Sequence, residues 1–490
     1  MTPESTASLL DRGADARPAI AWGEVTIDRG SLRKLVEELA RRFEGHEGQP
    51  IVIVAPNVPA LVVGIFAAWR AGCVAVPLNG RVRRYELERV FADAEPWAVV
   101  SLEAHAGFFV AEVARELALG SPALELCLVV DELGEVVGEF RTGATERDRL
   151  DEEVASIMYT SGTTGEPKGA IERHSKGLRV AQSFAERLGP HADAPCGFAI
   201  PVSHSFGLAC LQASVGAGAL VVLADGGGTG EALQLAMRRH GVVVLHGPPA
   251  LFSRLLHMSG EAPQWRTGFI GGSPVPPELV EALDRRGATM LGQWGLSETG
   301  SVAACRLDDP SAVRYRTVGR AFPGYEVRAV PVAGMDADEL QVRSRYIWPT
   351  LLGRPWSEEE MTPDGWLRTG DLGDVDDDGV VTLVGRKKDV VHTGGFTVHP
   401  AEVERFIQAH PDVAAVVVVG IPHADLGEAL AAFIVLNAGT SFDRRGFIGY
   451  CRAGVAGYKV PYVLEVVSEL PLLASGKPDR LALASGVARR

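Results

Sequence analysis

Lysine is scarce in this chain. Of its 48 cationic side chains seven are Lys, at 34, 168, 176, 387, 388, 459 and 477, and the other 41 are Arg. A GC-rich genome accounts for such a bias, and it makes each retained Lys worth inspecting. An ammonium is a compact point charge on a flexible stem, whereas a guanidinium is a planar fork. Cysteine is thin as well. Six residues (73, 127, 196, 210, 305 and 451) are scattered with no C-x-x-C pair, which argues against zinc or a disulfide framework and points to a reducing cytoplasm. A basic surplus is missing. The net charge of −14 excludes general nucleic-acid binding, which needs a cationic face. No apolar run reaches the roughly 18 residues that span a bilayer, and the longest candidate, around Leu61–Val76, is broken by Arg70. The opening "MTPESTASLLDRGADARP" has no basic patch followed by an apolar stretch, so it does not read as a secretion signal.

What is present is a chain of 490 residues, 46% apolar and 22% charged, long enough for two or three globular domains. "GSLRKLVEELARRFE" (30–44) and "PALVVGIFAAWRAG" (59–72) have helical apolar spacing. "PIVIVAP", "CVAVPLN", "WAVVSL", "ALVVLAD" and "VVVLHGPP" read as buried strands. Alternation of this kind predicts layered α/β structure with largely parallel sheets. After about residue 320 the texture changes to short strands and turns, with "VDDDGVVTLVG" (375–385) a hairpin turning at Asp378-Gly379. The same segment imitates the start of a calcium loop, but its twelfth position is Gly385 where a Glu is needed. A helix at 402–409 and strands at 413–420 and 431–436 follow. The boundary falls near Gly385–Asp389, giving a large α/β domain over 1–385 and a small α+β domain over 386–490.

The most informative stretch is "YTSGTTGEPKGA" (159–170). It is not a Walker loop, because Gly162 and Gly165 lie three positions apart instead of five, and Lys168 follows Pro167. Backbone N–H groups at its glycines and hydroxyls at Thr160, Ser161, Thr163 and Thr164 suit a polyphosphate, with Lys168 supplying charge. The segment resembles the signature of the adenylate-forming superfamily: acyl- and aryl-CoA synthetases, stand-alone adenylation enzymes and beetle luciferases. Further segments resemble that family in the same order: "WRAGCVAVPLN" (69–79), "PVSHSFG" (201–207), "FIGGSPVPPEL" (269–279), "QWGLSET" (293–299), "GWLRTGD" (365–371), "GRKKDVVHTGGFTVHPAEVE" (385–404) and "YKVP…LPLLASGKPDR" (458–480). The likeness covers about residues 20 to 485.

The resemblance implies ATP and Mg²⁺ as cofactors and an acyl-AMP intermediate. It implies nucleotide contacts from Thr160–Gly165, Lys168, Gly272, Ser273, Gln293, Trp294, Gly295, Ser297, Asp371 and Arg386. Glu298 falls at the magnesium position, with Thr160 beside it. Asp371 offers two oxygens to the ribose hydroxyls. Trp294 replaces the usual Tyr, keeping a face for adenine and losing the phenol. Lys477 is the expected catalytic cation, borne on a mobile domain hinged at Lys388, and Gly394 and Gly395 line the path of a pantetheine arm. An acid pocket is expected from Phe184, His204, Phe206, His246, Gly271 and Ser273, with Leu296 and Ser301. His204 either orients the carboxylate or packs in the core. No acidic residue occurs from Ala199 to Ala217, which disfavours an α-amino acid, and the aromatic and His candidates favour an aryl or compact acyl acid. No Cys- or Ser-based triad pattern is present, which argues against an acyl-enzyme route. The expected product is an acyl-CoA, with loading of a carrier protein's phosphopantetheine arm as the rival and other acceptors open. A homodimer is compatible with the sequence.

Overall fold

The computed structural model describes residues 4–121, 124–143, 149–160, 168–198, 200–224, 230–257, 264–273, 275–333, 335–393, 396–423, 426–455, 457–473 and 477–488. Two large sheets organise the first part of the chain. A seven-stranded sheet runs in the order Val136–Arg141, Leu126–Val130, Ala98–Ser101, Pro50–Ala55, Val74–Asn79, Val154–Thr160, Lys168–Arg173. A nine-stranded sheet runs from Arg320–Ala321 through Gly300–Ala304, Thr289–Leu296, Thr267–Ile270, Val244–His246, Cys196–Phe198, Val221–Leu223 and Pro18–Trp22 to Val25–Asp28. Their central strands are parallel. They read as unbroken apolar runs because both faces are covered, as at Pro50–Ala55, where every residue is buried.

Helices Pro59–Arg70 and Ser205–Ala217 are apolar around nearly their whole circumference. That composition suits only a helix enclosed on all sides. Both join one core cluster with residues of the two large sheets, Ile51 and Val100 from one, Phe198 and Phe269 from the other. The helix expected over 59–72 ends at Arg70, with Gly72 at φ +69° completing the turn into the next strand. Among the described residues no helix is long and apolar enough to cross a membrane, and the six cysteines are buried and unpaired.

A four-stranded antiparallel sheet follows: Tyr325–Val330, Asp338–Ser344, Leu367–Val375, Val381–Arg386. The hairpin expected at 375–385 is its last turn, with Gly379 at φ +74°. Arg386 ends this sheet, a single 3-10 turn spans Lys387–Asp389, and the next strand, Val391–Thr393, already belongs to a five-stranded sheet with its own core. The molecule is thus a large N-terminal α/β domain and a small C-terminal domain. His399 at the start of helix Pro400–Gln408 reaches back to Asp336 at 2.7 Å.

Candidate active site

The polyphosphate-type loop is the tip of an antiparallel hairpin. Strand Val154–Thr160 pairs with Lys168–Arg173, Thr160 opposite Lys168. Ser161, Gly162, Thr163, Thr164 and Gly165 lie outside the described residues, and so does the side chain of Thr160. A Walker loop leads into a helix and uses its N-terminal dipole; here both stems are strands, so that dipole is absent. Gly169 allows the stem to pack closely, since a Cβ there would stand 3.0 Å from Ile157 and 3.1 Å from Leu352. Lys168 is held by Glu360 at 2.9 Å, and Arg354 grips the same carboxylate with both terminal nitrogens at 2.7 and 2.8 Å. Arg354 first, then Lys168, hold the Glu360 carboxyl far below the usual range.

Four parallel strands end beside one another at Phe198, His246, Ile270 and the 293–296 stretch. Open α/β sheets bind ligands outside such carboxyl ends. Gly271 is required there by close approach, because a Cβ would lie 2.5 Å from the Gln293 amide nitrogen and 2.6 Å from its carbonyl oxygen. Gly272 is exposed at φ +83°, and Ser273 is half-buried. Gln293 accepts from Ser301 at 3.2 Å, while a Cβ on Gly295 would strike the carbonyl of Gly300. Leu296, Ser297 and Glu298 form a half-buried turn. Thr299 braces it by accepting from Leu296 N–H at 3.0 Å and donating to the Gly300 carbonyl at 2.8 Å.

Asp371 is buried at the meeting point of two sheets. The indole N–H of Trp294 donates to its Oδ2 at 2.8 Å, and Arg386 Nε pairs with Oδ1 at 2.6 Å. Both oxygens expected to be free are therefore already held, although a carboxylate retains further lone pairs. The substitution of Trp at this position, read from sequence as the loss of a hydroxyl, also supplies a donor. Burial opposes the charge on Arg386, but Asp371 outweighs it and the guanidinium is raised. Gly370 N–H donates to the buried Glu339 at 3.3 Å, which fixes the turn that presents Asp371.

Lys477 comes from the C-terminal domain. Leu473 N–H donates to its carbonyl at 2.8 Å, and Leu472 bridges to Pro478, which pins both sides of the short turn. Its side chain is exposed, with protein mass packed around it on the site side. That surrounding mass lowers its pKa, with Arg386 next, while Asp371 and Glu298 act in the opposite sense. Lys388 is lowered by burial and then by Arg386. His204 is the N-cap of helix Ser205–Ala217, accepting from Phe206 N–H at 3.4 Å, and burial followed by Lys477 pushes its pKa down to about 4. It is therefore neutral near pH 7, structural in its bond and facing the cation cluster.

The structure brings Glu298, Asp371, Arg386, Lys388, Lys477, His204 and Trp294 together. It does not bring Lys168 into that group. Phe184 is fully buried, packed between the tilted rings of Phe269 and Phe322 at centroid distances of 4.1 and 5.6 Å. Phe206 and His246 are buried also. Gly394 and Gly395 lie outside the described residues. Among the described residues no three His, Cys, Asp or Glu side chains converge as a metal cage. Magnesium that arrives with phosphates needs only one or two protein carboxylates, and Glu298 fits that role.

Some residues escaped the sequence reading. Asn57 donates to the Ile200 carbonyl at 2.7 Å and accepts from Val202 N–H at 2.9 Å, clamping the segment that leads to His204. Its only signal was a lone amide between an apolar strand and an apolar helix. Glu360 and Arg354 carried no recognisable signal, since 41 Arg hide any particular one.

Fold and cation cluster together define an adenylate-forming architecture, and the chain belongs to the AMP-binding enzyme family, whose model matches residues 11–342. The model of the AMP-binding enzyme C-terminal domain matches 402–477. Among its relatives, a feruloyl-CoA synthase of Amycolatopsis sp. is 30% identical over 476 residues, covering 94% of each chain. A 2-succinylbenzoate–CoA ligase of Geobacillus kaustophilus is 30% identical over 471 residues, 94% of this chain and 93% of that one. The fold is that of the anthranilate CoA ligase AuaEII in complex with anthranoyl-AMP (TM-score 0.86, 21% identity, 100% and 98% of the chains covered). ATP-bound MatB from Rhodopseudomonas palustris gives a TM-score of 0.83 at 26% identity, with 98% of each chain covered.

Proposed function

We propose that the protein activates a carboxylic acid, aryl or compact acyl, as its acyl-adenylate and passes the acyl group to the thiol of CoA. The acid's carboxylate oxygen attacks the α-phosphorus of ATP, the bond to the β-phosphate breaks, and pyrophosphate leaves. The thiol then loses its proton and attacks the acyl carbon, the C–O bond to AMP breaks, and AMP departs. The scattered, unpaired cysteines favour a reducing cytoplasm as its place.

One observation carries this reading: Lys477, from the C-terminal domain, stands within the field of Glu298, Asp371 and Arg386. A cation beside the acid and the α-phosphate stabilises the charge that develops in the first step. Asp371, oriented by Trp294 and Arg386, holds the ribose. Glu298 would hold magnesium, which would supply charge neutralisation at the phosphates. The second step uses rotation about Lys387–Asp389, which withdraws Lys477 and brings the 392–398 segment to the thiol path. The neutral His204 faces the acid's carboxylate without repelling it or adding charge.

The test is ATP–pyrophosphate exchange across benzoates, cinnamates, short and medium fatty acids and β-amino acids, followed by turnover with free CoA and with phosphopantetheinylated carrier proteins. Exchange with an aryl acid and thioester formation on CoA are expected. Exchange without CoA turnover, but with carrier loading, would move the acceptor. No exchange with any acid would end the activation reading.

A further inference from the structure

Several buried side-chain atoms among the described residues have no hydrogen-bond partner, Ser183 Oγ, Ser205 Oγ and His246 Nε2 among them, and of these His246 stands at a strand end beside the site. His246 closes strand Val244–His246 and has no exposed surface. Its ring stacks on Phe269 at 5.4 Å and meets the edge of Phe198 at 5.7 Å. Its Nδ1 accepts from the backbone N–H of Phe269 at 3.1 Å. A nitrogen that accepts carries no proton, so in the neutral ring the proton resides on Nε2. Burial lowers the pKa to about 3, which keeps the ring neutral. Nε2–H is thus a fixed donor, and it has no acceptor among the described residues. Buried donors in folded proteins are rarely left so.

Position gives the orphan a meaning. His246 ends its strand at the same sheet edge as Gly271 and Gln293, with Gly247 bridging to Ile270 beside it. Burial alone acts on its ionisation, whereas Lys477 acts on His204. His246 therefore lies apart from the cluster where carboxylate and phosphate meet, on the apolar side built by Phe184, Phe198 and Phe269. In such a wall an unsatisfied ring N–H is a polar mark.

We propose that the acid selected here bears a hydrogen-bond acceptor in addition to its carboxylate, an ether, carbonyl or hydroxyl oxygen, and that His246 Nε2–H reads it. The proposal rests on the acid-activation reading above. His246 has no exposed surface, so the acid must displace neighbouring side chains to reach Nε2. Selectivity follows from the same physics in both directions. An acceptor-bearing acid satisfies the donor, and a hydrocarbon acid of the same shape leaves it buried and unpaired.

The experiment compares matched acids in pyrophosphate exchange with the full-length enzyme: methoxy against ethyl, and acetyl against isopropyl, on benzoate, cinnamate and short-chain scaffolds. Wild type is expected to favour an acceptor member by about tenfold or more in kcat/KM. His246→Phe should abolish that ratio, the loss falling more heavily on the acceptor-bearing member of each pair. His246→Gln, which keeps an acceptor for Phe269 and a donor for the substrate, should retain part of it and decides the matter if the Phe variant fails to fold. Equal turnover of every matched pair by wild type, or an undiminished ratio in a folded His246→Phe enzyme, would overturn the proposal and leave acid activation standing. Absence of exchange with every acid would remove the reading beneath it.

Discussion

Replacing Trp294 with Phe removes one N–H and keeps an aromatic face. In the structure that N–H reaches the buried Asp371 at 2.8 Å, on the oxygen opposite the one held by Arg386. Hydrogen bonds to charged groups contribute about 1.5–3 kcal/mol. The bond orients Asp371 and does not touch nucleotide, so the lower end, about 1.5 kcal/mol, is the share expected in ATP binding. At 1.36 kcal/mol per factor of ten, that is roughly tenfold in kcat/KM for ATP. The assay is pyrophosphate exchange at saturating acid, with ATP and then with 2′,3′-dideoxy-ATP. KM for ATP should rise with kcat little changed, and the penalty should vanish with the dideoxy nucleotide, which has no hydroxyls for Asp371 to hold. The smaller ring also leaves a cavity, and its effect on Tm is measured separately. An equal loss with both nucleotides would show that Trp294 acts by packing alone, and an unchanged KM would refute the coupling.

Lys477→Ala is expected to lower pyrophosphate exchange by about 100- to 1000-fold; a variant that kept exchange and lost only thioester formation would sink the assignment. Because the Lys477 ammonium is held below its ordinary 10.5, wild-type exchange should fall as pH rises through that lowered value. Lys477→Arg, if active, should flatten the alkaline limb, since a guanidinium stays charged. Glu360 has a depressed pKa, so its contribution to stability is complete above the ordinary 4.5 and is lost as pH falls through the depressed value. Tm measured from pH 7 downward should therefore show an acid-side loss that Glu360→Gln lacks. Identical pH profiles would argue against the Lys168–Glu360–Arg354 cluster as a brace. Asn57→Ala breaks two buried bonds and should cost about 1–3 kcal/mol in denaturant unfolding, and a neutral result would mean the 200–202 segment is held by packing.

Strands such as Pro50–Ala55 and helices such as Pro59–Arg70 were legible because periodicity and burial determine each other locally. The hairpin at Asp378-Gly379 was legible for a similar reason, since the turn chemistry is written in adjacent residues. Glu298, Asp371, Arg386 and Lys477 could be named from motifs, but their convergence spans 180 positions and two domains, which no local pattern encodes. Phe184 shows the opposite limit. An aromatic residue near a site reads as pocket lining from sequence, and only packing reveals it as a wall sealed between two other rings. The donor on Trp294 was illegible because the partner of an indole N–H is chosen by tertiary structure. Lys168 stands out in the sequence by its rarity, yet its bond to Glu360 depends on a segment almost two hundred residues away.

The register of Asp371 with Arg386 has a kinetic consequence. Both residues belong to adjacent strands of the N-terminal four-stranded sheet, which ends at Arg386, before the 3-10 turn Lys387–Asp389 proposed above as the hinge. On the proposed mechanism, rotation there would carry Lys477 away and leave the Asp371–Arg386 pair in place. The sugar end of the intermediate stays gripped while the reagent at the reacting end is exchanged. Products should then leave in a fixed sequence, pyrophosphate before the thiol enters and AMP no earlier than the thioester, so that AMP competes with ATP in product inhibition.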